Sequence, residues 1–204
     1  AICRDYLESL PDLSTIPWRD NHTTFKNKRD LTVIQKHDVY ALKLRDGDQS
    51  VVAKSDFMRA IAYVIERFVQ GLADEFPVLG EWHADEVSMH RYDQEDIGLS
   101  RHRDNLRFWG LVVVLTLQGS SDFVVYDGEV EHTTIVSPGS LALMRATNLV
   151  GDPSDIARQT NLCPEHGVVR VRELPRTSLI VRDNLLPQEA IDGFVYANWE
   201  PTAL

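Results

Sequence analysis

Apolar positions recur along this chain in two rhythms. Residues 1–30 show no sustained period and read as an irregular or short-helix arm. Strand-like runs follow at Leu31–Gln35, Val39–Leu44 and Val51–Lys54, with Asp46-Gly47 as a hairpin signal between the last two. Ser55 then stands as an N-cap. Phe57, Ile61, Val64, Ile65, Phe68, Val69 and Leu72 recur at helical spacing and predict a helix whose stripe packs on a sheet. Pro77 and Gly80 mark its exit. From residue 87 the period becomes two. The pattern predicts strands at Val87–Tyr92, Leu111–Leu117, Phe123–Tyr126, Thr133–Val136, Leu141–Arg145, Val168–Arg172 and Thr177–Arg182. Turn signals separate most of them: Gly119-Ser120-Ser121, Asp127-Gly128 and Pro138-Gly139-Ser140. Short strands with regular turns, and one helix to cover an outer face, predict a sandwich or jelly roll rather than βαβ units. The stretch Ala146–Pro164 is longer than an ordinary hairpin loop, and loops of that length are usually functional or mobile.

Composition narrows this little further. The 204 residues, 43% hydrophobic and 25% charged, suit one globular domain able to bury a core without disulfides or zinc. We expect one domain, with N-terminal strands and a supporting helix over 1–84, a jelly-roll core over 85–185 and a tail over 186–204. The longest apolar run, near Leu111–Leu117, is too short to span a bilayer, and the first thirty residues lack a signal-peptide core. Cys3 and Cys163 stand alone and read as packing residues in a reducing, cytoplasmic setting. The net charge of −10 disfavours a polyanionic partner. Every Lys or Arg after Lys54 is Arg, the residue that holds planar carboxylates in a fork.

A few residues carry chemistry. In His102-Arg103-Asp104 the first and last residues point to one side of an extended chain and can share a metal. His166 opens a predicted strand. Two imidazoles and a carboxylate form a facial set with open coordination positions, as in non-haem Fe(II) oxygenases. Arg176 and Arg182 lie six apart on the last strand, on one face with Ser178 and Ile180, while Thr177, Leu179 and Val181 face away. Buried together, the two cations need anionic partners, and a dicarboxylate would supply both. His90 and Tyr92 also share a face, and a phenol can donate to a carboxylate. Taken singly, each group has a plainer reading: a surface pair, a loop histidine, cations flanking an edge strand. His132 is a rival ligand, placed at the surface near a hairpin. His22, His37 and His83 have no partner at metal spacing. Arg101, Arg103 and Arg107 could meet an anionic substrate or form a solvated face. Phe108, Trp82 and Trp109 read as core or as a substrate wall.

The stretches Met89-His-Arg-Tyr92, Ser100-Arg-His102-Arg-Asp104, the later His166 and Arg176-Thr-Ser-Leu-Ile-Val-Arg182 together resemble the Fe(II)/2-oxoglutarate-dependent dioxygenases, most of all their AlkB-like branch. The resemblance covers about residues 85–185. It implies a double-stranded β-helix core, mostly β with flanking helices. It implies iron held by His102, Asp104 and His166. Arg176 would pair with the distal carboxylate of 2-oxoglutarate, with Tyr92 donating a hydrogen bond, Ser178 and His90 beside them and Arg182 near the metal-bound end. His90 stands where that branch has Asn. Asn105, Leu106 and Arg107 stand where it commonly carries acidic residues that hold an alkylated base.

The expected activity is therefore C–H oxidation, by hydroxylation or oxidative demethylation, with Fe(II), 2-oxoglutarate and O2, releasing succinate and CO2. The acidic balance and the residues after Asp104 favour a small-molecule substrate. AlkB-like dealkylation of a nucleobase is the alternative within the family. A non-catalytic jelly-roll binding protein is the alternative from another class. An expected cupin HxH motif and a hydrolase G-x-S-x-G are both missing.

Overall fold

The computed structural model describes residues 13, 16–27, 30–43, 56–96, 98–105, 107–146, 149 and 163–184. The expected strand at Val51–Lys54, its Asp46-Gly47 turn, Ser55, Cys3, most of the 146–164 stretch and the 186–204 tail lie outside the described residues.

In chain order the strands are β1 (Arg19–Asp20), β2 (Thr23–Lys26), β3 (Thr32–Gln35) and β4 (Asp38–Lys43). Helix α1 (Asp56–Gln70) and a 3-10 turn (Pro77–Glu81) follow. The rest is β5 (Glu86–Tyr92), β6 (Leu99–His102), β7 (Phe108–Asp127), β8 (Val130–Val136), β9 (Leu141–Arg145) and β10 (Glu165–Asn184). No helix among the described residues is long and apolar enough to cross a membrane.

Two strands organise the sheet. β7 and β10 each run for 20 residues and pair antiparallel along most of their length. The C-terminal half of β10 also pairs with β5, and β5 with β4 and β4 with β1. The N-terminal half of β10 pairs with β6, which joins β3 and then β2. β9 pairs with the first part of β7 and β8 with the second. One long curled antiparallel sheet thus forms two walls facing each other, the expected jelly roll.

The expected break at Gly119-Ser120-Ser121 is not a turn, and Val168–Arg172 and Thr177–Arg182 are not separate strands. Both long strands bend together instead. Gly119 takes φ +66°, and a Cβ there would lie 2.7 Å from the Pro175 carbonyl oxygen and 2.8 Å from Arg176 Cα. Register shifts between Glu173 and Thr177 mark the same bend in β10. A glycine with left-handed backbone opposite a proline, whose missing N–H tolerates a broken ladder, looks like a turn in sequence and acts as a corner in the sheet. By contrast Asp127-Gly128 and Pro138-Gly139 are true turns, with both glycines at positive φ.

Helix α1 covers the outside of the wall made by β5, β7 and β10. Met58, Ile61, Ala62, Ile65 and Val69 are buried against Val87, Met89, Val113, Leu179 and Val181. Val64 and Phe68, expected on that stripe, are 60% and 45% exposed. At 3.6 residues per turn they sit about 100° round the helix from the buried line, beyond what one sheet can cover. Two side chains fix the helix to the entry of β5: Glu66 accepts from the Ala84 amide at 2.8 Å, and Gln70 donates to the Trp82 carbonyl at 3.0 Å. Trp82 is fully buried in this layer and donates from its indole to the Trp109 and Leu111 carbonyls, so it is core and not a substrate wall. A second core fills the space between the walls, from Leu99, Phe108, Val112, Phe123, Val168 and Ile180 among others.

Candidate active site

The inner face of the curled sheet lines a small pocket that opens to solvent. His90, Tyr92, His102, Asp104, His166, Arg176, Ser178 and Arg182 all line it. The two halves of the expected site therefore meet in one place. Alternation along β10 puts Arg176, Ser178, Ile180 and Arg182 on the cavity side, while Leu179 and Val181 pack under α1.

His102 ends β6, and His166 opens β10 directly opposite it in register. Asp104 follows two residues after His102. One ligand atom from each of the three lies within 4.8 Å of the others. His166 Nε2 stands 3.7 Å from Asp104 Oδ2. Each imidazole is aimed by its own strand: His102 Nδ1 lies 2.8 Å from the Ser100 carbonyl oxygen, and His166 Nδ1 lies 3.3 Å from that of Pro164. A carbonyl only accepts, so each Nδ1–H is engaged there and both Nε2 atoms are turned toward the same point. Close approach of the strands is possible because Gly167 follows His166; a Cβ there would sit 2.9 Å from the Leu99 carbonyl oxygen. Phe123 stacks on His166 with centroids 5.8 Å apart.

The electrostatics suit a cation. Burial, helped by the neighbouring His166, lowers the His102 pKa to about 4, so the ring is neutral at neutral pH. Burial disfavours the Asp104 carboxylate, yet His166, Arg182 and His102 outweigh it and hold the group below its ordinary value. Two imidazole nitrogens and a carboxylate converging in a partly dehydrated site are a group that can hold a metal ion.

At the other end of the cavity Arg176 is 1% exposed. Its Nε and Nη1 have no hydrogen-bond partner, and no carboxylate pairs with it among the described residues. Its guanidinium lies 4.8 Å over the Tyr92 ring, its register partner on β5. Burial lowers the Arg176 pKa and raises that of Tyr92, while each side chain counteracts the shift of the other. A buried cation without a counter-ion is costly, and an anionic ligand would relieve it.

Arg182 differs from the sequence expectation that a dicarboxylate would meet both cations. Its Nη1 donates to Glu86 Oε1 at 3.0 Å and to Ser88 Oγ at 3.1 Å. Glu86 Oε2 accepts from Arg107 at 2.7 Å, and both guanidiniums stack on Phe108 at 4.7 and 4.8 Å. Phe108 is thus a platform rather than a substrate wall. Arg107 ties the segment after Asp104 to β5 and β10. Arg101 and Arg103 both face Glu165, at 2.6 and 3.5 Å. His132 is exposed on β8, as expected for a surface residue. Cys163 is buried.

Sequence reasoning missed Glu86, Ser88 and His37. His37, 1% exposed, packs on His90 with ring centroids 4.3 Å apart. Fifty-three residues separate the two rings. Only the pairing of Val39 with His90 between β4 and β5 brings them together, and nothing local signals it.

Compared as a sequence, the chain matches no protein-family model and no curated protein. Compared as a fold, it is similar to dioxygenase for auxin oxidation 1 from Arabidopsis thaliana, in a 2-oxoglutarate binary complex. That match has 14% identity and a TM-score of 0.51, covering 90% of this chain and 72% of the other. A Pseudomonas putida prolyl-4-hydroxylase matches at 12% identity and TM-score 0.50, covering 91% and 100%. A full-length Neurospora crassa protein in complex with alpha-KG matches at 11% identity and TM-score 0.54, covering 90% and 71%. The chain therefore has the jelly-roll fold found in 2-oxoglutarate-dependent oxygenases.

Proposed function

We propose that the protein is an Fe(II)- and 2-oxoglutarate-dependent dioxygenase that oxidises a C–H bond of a small molecule. One observation carries the proposal: a buried arginine lacking a counter-ion lies in the same cavity as a convergent His-Asp-His set. When bound, Fe(II) with 2-oxoglutarate and O2 supplies the oxidising power, coupled to decarboxylation of the cosubstrate to succinate and CO2.

The chain's own residues do the rest. His102, Asp104 and His166 would hold the metal, a three-residue set that would leave coordination positions for cosubstrate and O2. Arg176 pairs with the distal carboxylate, Tyr92 and Ser178 add hydrogen bonds, and His90 donates from its imidazole. Arg182, ion-paired to Glu86, would lie near the metal-bound end and leave the distal carboxylate to Arg176. Val112, Val114, Phe123 and Ile180 keep water away, which strengthens each polar contact. The substrate C–H becomes C–OH; on an N-methyl group the same step ends in demethylation.

A small-molecule substrate fits the net charge of −10 and the segment after Asp104, where Arg107 is committed to Glu86 and no acidic side chain is available to hold a base. AlkB-like dealkylation of nucleic-acid bases is the second reading, favoured by the Met89–Tyr92 and Arg176–Arg182 motifs. A buried, isolated Cys163 fits a reducing, cytoplasmic setting.

The test is to load the protein with Fe(II) without air, add 2-oxoglutarate and then O2, and measure succinate. Uncoupled succinate, with a 2-oxoglutarate-dependent visible absorption band lost in His102→Ala, is expected. Neither signal would leave a non-catalytic binding protein. Salt-sensitive binding of alkylated DNA would favour the nucleic-acid reading.

A further inference from the structure

Behind the cavity's polar wall lies a second layer. The His37 ring lies nearly flat on His90, with planes 15° apart, and tilts against Tyr92 with centroids 5.3 Å apart. Its Nε2 is 3.0 Å from the Asn21 amide nitrogen, which also reaches Gln35 Oε1 at 3.4 Å. An amide N–H can only donate, so His37 Nε2 is its acceptor and the ring is braced from the β1–β2 connection, with Asn21 itself steadied by Gln35 of β3.

His90 is held on its edge as well. Its Nε2 is 3.5 Å from Ser88 Oγ, the oxygen that accepts from Arg182. This contact steadies one edge of the His90 ring from its own strand. Burial lowers both histidine pKa values, His37 to about 4, so two neutral rings stack without charge repulsion. An apolar side chain would fill the His37 site at lower desolvation cost.

We propose that His37 is a positioning residue for cosubstrate binding: stacked on His90 and braced by Asn21, it fixes the planes of His90 and Tyr92 before the dicarboxylate arrives. The inference rests on the dioxygenase reading above. Groups ordered in advance do not have to be ordered on binding, so the effect falls on cosubstrate affinity and spares metal affinity.

The experiment is calorimetric titration of 2-oxoglutarate into the Mn(II)-loaded protein, with Mn(II) titrated separately. His37→Ala weakens 2-oxoglutarate binding about tenfold and leaves Mn(II) binding unchanged. In uncoupled turnover the change appears in KM for 2-oxoglutarate, with kcat close to that of the unaltered protein. His37→Phe keeps the stacked ring and restores most of the loss. Asn21→Ala, a partly exposed site, weakens 2-oxoglutarate binding by a smaller factor and decides the matter if His37→Ala does not fold. Unaltered affinity in His37→Ala or Asn21→Ala, or a His37→Phe as weak as His37→Ala, overturns the proposal. If the unaltered protein binds no 2-oxoglutarate, the dioxygenase reading itself falls.

Discussion

His102 and His166 face each other across two antiparallel strands with ring centroids 4.3 Å apart, each ring committed through Nδ1 to the carbonyl two residues before it. A repeated local device thus aims both Nε2 atoms at one point. Replacing either histidine with Ala should weaken Mn(II) or Fe(II) binding at least about 100-fold. Metal titration under argon checks this, and retention of tight binding by both variants would remove these residues as ligands.

Arg176 should show opposite effects on ligand binding and on ligand-free stability. Arg176→Met removes an unmatched buried cation, so the ligand-free protein should gain about 1 kcal/mol or more. Binding of 2-oxoglutarate should fall about 100-fold, since the distal carboxylate loses its charge partner. Thermal melting and titration of the same sample read both. A variant that melts lower than the parent would mean that the guanidinium is satisfied in the ligand-free protein.

The pKa of His37 gives a direction to acid sensitivity. Its folded value, about 4 through burial, lies below the ordinary 6.5, so unfolding takes up a proton between those values. Its contribution is complete above about pH 6.5 and is lost as the pH falls toward 4. The loss is on the order of 3 kcal/mol for a shift of that size. Urea unfolding of the metal-free protein from pH 7 to pH 4.5 should show the decline, and His37→Phe should make it shallower.

Gly119 should tolerate no side chain. Its φ of +66° and the backbone of Glu173, Pro175 and Arg176 around it leave no space for a Cβ. Gly119→Ala should cost about 2 kcal/mol or more through strain at the bend. Because Arg176 sits at that bend, 2-oxoglutarate binding should weaken with stability. A variant with parental melting and parental affinity would show that the bend is easily reshaped.

A period of two puts His102 with Asp104 on one side and Arg176, Ser178 and Arg182 in one row, and the structure has these residues around one cavity. His166 came into the candidate set through the order of motifs rather than through periodicity. Strand continuity was less legible, because Gly119 and Pro175 look like turn residues, and only pairing across β7 and β10 turns them into a shared corner. The burial of α1 was half legible: the apolar positions predict a helix, but which of them the sheet covers depends on where the helix lands. Pairings such as Glu86 with Arg182 and Arg107 were hidden, since nothing in the spacing of these residues places them side by side.

Alternating polarity, turn residues and motif spacing are local properties, carried by backbone geometry, and they suffice for a β architecture and for a set of candidate ligand residues. Charge balance and ring stacking are not local. Whether Arg182 finds a carboxylate, whether Arg176 is left without a counter-ion, and whether His37 reaches His90 all depend on which strands become neighbours. Pairing of β4 with β5 and of β5 with β10 settles these points, because Coulomb and stacking contacts act over a few ångströms in space, whatever the distance along the chain.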